Sequence, residues 1–248
     1  MVREITVTNN QTNSAEQRPK NSEAELLQNW QHITEQIVQA SQAHQPVTLI
    51  AVSKTKPASR IAELAQAGQR DFGENYLQEA MEKIAELKEH ADCENIVWHY
   101  IGSIQRNKTR DIAENFDWVQ TVERGIIAKR LNNQRPDDLP NLNVLIQVNI
   151  DNEDSKSGCA VEELNDLVDE VKGYERLTLR GLMILPAKDD NTEAFARTKA
   201  LFDDIKIKHP ELEQWDTLSM GMSGDMVQAI QNGSTMVRVG SAIFGARA

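Results

Sequence analysis

The chain has 248 residues, 40% of them hydrophobic, enough for one large core and close to the length of about 250 residues that α/β barrels commonly reach. An excess of 38 acidic over 27 basic side chains leaves a net charge of −11, a surface that repels nucleic acid and anionic membranes and favours solubility. Two cysteines without a CxxC, five histidines without ligand spacing and no apolar run near the roughly 20 residues of a membrane helix argue against a disulfide scaffold, a structural zinc and a membrane span.

Residues 1–21 contain the polar, aperiodic stretch NNQTNSAEQRPKN and predict a disordered tail. They carry no apolar signal-peptide core, and with the cysteine usage this predicts a cytoplasmic protein. Ser22 with Glu25 three residues on reads as a capping box. Leu26, Leu27, Trp30, Ile33, Ile37 and Val38 then recur at helical spacing. Beyond that helix the chain alternates. Strands are predicted at residues 47–53, 70–74, 96–101, 117–122, 143–150, 179–185, 216–221 and 235–240, and helices at 58–67, 76–89, 106–115, 124–133, 160–172, 191–208 and 224–232. VTLIAV and NVLIQVNI are continuously apolar, as parallel strands covered on both faces require. The pattern predicts an α/β fold, a single (β/α)8 TIM-type barrel over residues 22–248 with an extra N-terminal helix. An open doubly wound sheet is the competing architecture. No linker rich in Pro, Gly or Ser divides the chain.

Chemistry in such barrels collects at the C-terminal ends of the strands. The first strand ends in AVSKTKP, which places Lys54 just past an apolar run, where partial desolvation favours the neutral, nucleophilic amine. Lys56, next to Pro57, reads as solvated. The second strand ends in DFGENY, so Glu74 and Asn75 are candidates for the barrel mouth, and an amide there can hydrogen-bond a phenolic oxygen. His99 lies within the third strand and reads as a packed core histidine, while Arg106, Lys108 and Arg110 form a basic group on the next helix. Asn149 ends the fifth strand as a candidate pocket residue, and Lys156 sits in a polar loop. Met183, in GLMILP of the sixth strand, offers an apolar contact to a flat ring.

The last two strands end in SMGMSGDM and VRVGSAIFG. Ser223 is placed as the N-cap of the helix at 224–232, and Gly240 with Ser241 opens a short helical turn. Two small-residue turns feeding helix N-termini after the seventh and eighth strands form an anion site, the place where barrels often hold phosphate. Arg238 shares the face of Gly240 by strand alternation and, if that face is interior, requires an acceptor partner. An amine and a phosphate cradle across one mouth suit a phosphorylated aldehyde cofactor or, equally, an aldolase substrate.

The motifs AVSKTKP, FGENY, WHYIG with QRNK, GLM, and GMSGDM with GSTMVRVGSAIFGAR together resemble the pyridoxal 5′-phosphate (PLP) homeostasis family, the YggS/PROSC family, over residues 22–248. That family resembles the barrel half of fold-type III PLP enzymes such as alanine racemases. The resemblance implies that Lys54 forms a Schiff base with PLP. It implies that Ser223, Gly240 and Ser241 bind the phosphate, that Arg238 contacts the ring nitrogen or the phosphate, and that Asn75 and Met183 line the pocket. Ser103 stands where many members carry proline, and Gly224 where an acidic residue is frequent.

Two functions follow from the resemblance. One is a PLP carrier or regulator that supports amino-acid and keto-acid balance, with apo PLP-dependent enzymes as recipients. The other is a PLP enzyme such as an amino-acid racemase. A fold-type III racemase adds a β-rich domain that supplies an opposing base, commonly a tyrosine. Here the sequence reaches Ala248 directly after the eighth strand and its turn, and Tyr76, Tyr100 and Tyr174 fall within the barrel sequence. The expectation is a monomeric carrier with no catalytic residue and no metal.

Overall fold

Short β-branched runs alternating with amphipathic helices give the chain nowhere to bury its strands except between helices. The computed structural model describes residues 23–41, 46–153, 156–187 and 191–245. The tail at 1–21 and the Ser22 cap lie outside them. In chain order the elements are α1 (Glu23–Ala40), β1 (Thr48–Val52), α2 (Ala58–Gln66), β2 (Asp71–Glu74), α3 (Leu77–Leu87) and β3 (Val97–Tyr100). Then come α4 (Thr109–Asn115), β4 (Trp118–Val122), α5 (Gly125–Gln134), β5 (Leu142–Val148), α6 (Leu164–Val171) and β6 (Leu177–Ile184). The last are α7 (Thr192–Lys208), β7 (Thr217–Ser219), α8 (Met226–Gln231), β8 (Met236–Val239) and α9 (Ser241–Phe244).

All neighbouring strands are parallel, in sequence order, and β1 pairs with β8 from Thr48↔Met236 to Ala51↔Val239. That closure rules out the open sheet and makes the fold a (β/α)8 barrel. The main core lies between barrel and helices, where Phe72, Val119, Val144, Ile146, Leu182 and Val237 meet Ile61, Leu64, Ile112, Ile127, Leu131 and Phe195. Each such side chain contributes about 1.5–3 kcal/mol by leaving water. Inside the barrel a small cluster of Ile50, Val52 and Met236, with Ile101 and Trp118 against it, fills the axis.

The four residues of α9 are too few to cover the seam between β8 and β1. The N-terminal helix supplies that cover. It buries Leu26, Ile33 and Ile37 and packs on α9, α8 and α2. Asn29 Nδ2 donates to the Ile243 carbonyl at 3.3 Å and Trp30 Nε1 to Gln69 Oε1 at 2.9 Å. Val38, placed on the apolar stripe by its spacing, is instead 69% exposed, because neighbouring Ile37 takes the buried position. The predicted helices at 106–115 and 160–172 each open with a 3-10 turn, at Arg106–Lys108 and Val161–Glu163.

Candidate functional site

Side chains alternate across a strand, so every second residue at the mouth faces the barrel axis. On β1 the inward set runs Ile50, Val52 and, two residues beyond, Lys54. The same parity brings Asn75 after β2, Met183 on β6, and Arg238 and Gly240 at β8 to the axis. With Ser223 and Ser241, these seven residues line one cavity of about 480 Å³. The sequence singles out all seven. It makes Lys56 a solvated residue, yet Lys56 lines the same cavity and is half-buried.

Parity also turns Ser53 and Glu74 outward, toward α3. Glu74, nominated with Asn75 for the mouth, is fully buried and does not line the cavity. Its Oε1 accepts from the Ser53 hydroxyl at 2.6 Å and from Lys83 Nζ at 2.7 Å. Lys83 also donates to the Ser53 carbonyl at 2.8 Å and to Glu79 Oε1 at 2.5 Å. Glu79 Oε1 accepts the Thr55 N–H at 2.5 Å, and Thr55 holds φ = 62°, an unusual value for a residue other than glycine. Burial raises the Glu74 carboxyl above its ordinary range, against the pull of the Lys83 ammonium, and Oε2 is buried with no partner. Only the Glu79–Lys83 spacing of four residues on a helix hints at this network in the sequence.

Arg238 is 4% exposed, and it has the acceptors that a buried guanidinium requires. Nη1 donates to Ser219 Oγ at 2.6 Å and Nη2 to the Ile184 carbonyl at 2.8 Å. Burial lowers its pKa to about 10, partly opposed by the Asp225 carboxylate, so it remains a cation at neutral pH. Ser219 in turn donates to Gln120 Oε1 at 2.6 Å, and Gln120 Nε2 lies 3.1 Å from His99 Nδ1. His99 Nε2 meets Asp71 Oδ1 at 2.9 Å. Because the Gln120 amide donates to Nδ1, the proton of a neutral His99 sits on Nε2 and points at Asp71. A single direction of donation therefore runs down the barrel axis, from the arginine under the cavity to a carboxylate at the opposite end. His99 is a packed core histidine, as its place within the strand suggests.

The β7–β8 side is built from turns. Ser223 does not cap α8: the helix begins at Met226 with Asp225 as N-cap. Asp225 Oδ1 accepts the Met222 N–H at 2.6 Å and Oδ2 accepts Asn191 Nδ2 at 2.6 Å, so its carboxylate holds the turn and leaves Ser223 half-buried at the cavity. Gly240 caps α9, whose first N–H groups have no intrahelical acceptor. A Cβ on Gly240 would stand 3.3 Å from the Val52 carbonyl oxygen, so the approach of β8 to β1 favours glycine there. Ser223 Oγ and Ser241 Oγ meet at 3.5 Å across the two turns.

Asn149 does not reach the cavity. Its amide closes its own loop, donating to the Glu153 carbonyl at 2.8 Å and accepting the Glu153 N–H at 3.2 Å. Ser103 and Lys156 line an adjoining cavity of about 680 Å³ that shares Ile101 and Leu185 with the first. Among the described residues no group of three or more His, Cys, Asp or Glu side chains is arranged to hold a metal ion, and no helix is long and apolar enough to cross a membrane.

The model of the alanine racemase N-terminal domain matches residues 27–248. A pyridoxal phosphate homeostasis protein of Vibrio alginolyticus is 49% identical over 230 residues, covering 90% of this chain and 97% of that protein. The solved structure of PipY from Synechococcus elongatus with PLP bound is 30% identical, with a TM-score of 0.77 over 89% of this chain and all of that one. Alanine racemase from Corynebacterium glutamicum shares the fold at 21% identity, with a TM-score of 0.63 over 89% of this chain and 61% of that one. A domain match across nearly the whole chain and near-50% identity over nine-tenths of it lead to one conclusion: the chain belongs to the pyridoxal phosphate homeostasis protein family, built on the alanine racemase N-terminal domain.

Proposed function

We propose that this protein binds PLP in the 480 Å³ cavity, as a Schiff base on Lys54, and acts in PLP homeostasis as a carrier of the cofactor. The observation that carries the reading is one cavity with Lys54 on one wall and the Ser223, Gly240 and Ser241 turns on the other, above a buried arginine. The residues present fit the group. Asn75 lines the cavity, and its amide N–H groups can donate to the phenolic oxygen of the ring. Met183 presents an apolar, polarisable side chain to a planar ring. The small-residue turns expose N–H groups and hydroxyls to a phosphate. When bound, the cofactor supplies an aldehyde that a neutral amine captures reversibly.

Arg238 cannot accept a proton and stays cationic at neutral pH. Placed at the ring nitrogen, it keeps that nitrogen unprotonated and weakens the ring as an electron sink; placed at the phosphate, it is a counter-charge. Among the described residues lining the cavity, the titratable side chains are Lys54, Lys56 and Arg238. Racemisation needs a base on each face of a carbanion, and beside Lys54 the cavity offers only the Lys56 amine, with no tyrosine, histidine or carboxylate among its described lining residues; a missing acid–base group typically costs about 10²–10⁴-fold. This supports holding and exchange over turnover, as do the names of the relatives at about half identity.

The test is the visible imine band of the purified protein with PLP, followed by borohydride reduction and peptide mapping, which is expected to place the reduced adduct on Lys54. In parallel, the loaded protein is mixed with an apo PLP-dependent enzyme and, separately, with single amino acids. Reactivation of the apo-enzyme is expected. Turnover of any amino acid above about 1 s⁻¹, the low end of ordinary enzyme rates, overturns the carrier reading.

A further inference from the structure

Lys54 lies between two residues whose backbone is held from behind. On one side Lys83 Nζ donates to the Ser53 carbonyl at 2.8 Å, and the Ser53 hydroxyl is anchored on Glu74. On the other, the Thr55 N–H donates to Glu79 Oε1 at 2.5 Å. Lys83 joins both carboxylates, so the two anchors form one unit. We propose that Glu79 and Lys83 of α3, braced by Glu74, are positioning residues that hold the backbone on either side of Lys54, at Ser53 and Thr55, so that Lys54 Nζ points into the cavity.

Each contact has a physical cost that a loop with no task would not need to carry. Thr55 sits in the left-handed region at φ = 62°, a conformation that is unfavourable for a residue with a Cβ. Lys83 is an ammonium with a side chain only 6% exposed, and Glu74 is a carboxylate with none of its side chain exposed. Burying such charges is expensive unless they are paired, as these are. A lysine side chain is rich in rotamers, so its reach into a cavity is defined only if its backbone is fixed. Schiff-base formation joins Lys54 Nζ to the aldehyde carbon; the amine gives up both N–H hydrogens, and the carbonyl oxygen leaves with them as water. That step depends on where Nζ stands, whereas grip on the phosphate and ring does not.

The inference rests on the Schiff-base reading of Lys54, and the experiment separates the two. PLP binding is compared with that of pyridoxine 5′-phosphate, an alcohol with the same ring and phosphate that forms no imine. In Glu79→Ala the affinity for PLP is expected to fall about tenfold, with that for pyridoxine 5′-phosphate unchanged, as a small misplacement of a reacting group predicts. Glu79→Gln, whose amide oxygen can still accept the Thr55 N–H, is expected to restore PLP binding. Lys83→Met is expected to lose more than Glu79→Ala. Because Lys83 is buried and its variant can fail to fold, the part-exposed Glu79 carries the test. Unchanged PLP affinity in Glu79→Ala, equal losses for both ligands, or no rescue by Gln overturns the inference. Borohydride mapping of the unmodified protein is run alongside. An adduct elsewhere than Lys54 sinks the Schiff-base reading itself; an adduct on Lys54 with any of those three results sinks only the positioning role.

Discussion

The two walls of the cavity are built differently. The β1–β2 wall is braced: Lys54 and Asn75 stand in front of a buried network of Ser53, Glu74, Glu79 and Lys83. The β7–β8 wall is made of small residues in turns, held by the part-buried Asp225 carboxylate on the Met222 N–H and Asn191 rather than by a buried ion pair, with Ser223 Oγ 3.5 Å from Ser241 Oγ. The difference fits the two tasks proposed for these walls. An amine that must meet a carbon atom needs a fixed origin, whereas a phosphate is gripped by several N–H and O–H groups at once and tolerates small shifts in each.

The largest expected effect lies on the braced wall. A Cβ at Gly102 would stand 2.3 Å from the Asn75 carbonyl oxygen and 2.9 Å from its Cα, backbone atoms that cannot swing aside. Gly102→Ala is therefore expected to cost about 3 kcal/mol, read as a drop in the denaturant midpoint. A midpoint equal to that of the unmodified chain would show that this wall yields as easily as the other.

Arg238→Met comes next, because it removes the donor that serves Ser219 Oγ and the Ile184 carbonyl inside the barrel. A stability loss of about 2 kcal/mol is expected, the cost of leaving buried acceptors unpaired, together with weaker PLP retention. Stability unchanged and retention lost would mean that the arginine serves the ligand alone.

A third prediction uses pH. The folded-state pKa of Glu74 is raised by burial, so as pH falls the native protein takes up this proton before the unfolded chain does, and Glu74 is the carboxylate paired with Lys83 only above that interval. The contribution is fully present below the unfolded-state value and is lost as pH rises through the folded one. Stability should therefore decline with rising pH in the interval just above the ordinary carboxylate range. Glu74→Gln should flatten that decline; an identical pH profile in the variant would remove Glu74 as its source.

The smallest effect belongs to the turn wall. A Cβ on Gly224 meets no heavy atom within 4 Å, so Gly224→Ala is expected to change stability by no more than about 0.5 kcal/mol. A larger loss would show that this wall is packed more tightly than its contacts indicate.

Much of this architecture is legible in the sequence. Alternation of apolar runs with amphipathic helices marks eight strands and their order, and strand-end positions name the seven residues that share a cavity. Helix ends are less legible: Ser223 reads as a cap, but Asp225 two residues on makes the side-chain contacts that hold the turn. A reading by position alone sends Glu74 to the mouth along with Asn75, although adjacent residues at a strand end face opposite ways.

What the sequence by itself determined is the pattern, because periodicity and turn chemistry are local properties carried by neighbouring residues. Tertiary structure alone decided the partners. Gln120 and Ser219 lie 99 positions apart, and Lys83 reaches Ser53 across 30, so no local spacing could announce either bond. Closure of β8 onto β1 likewise brings Gly240 against Val52, a contact between the two ends of the barrel that exists only once all eight strands are in place.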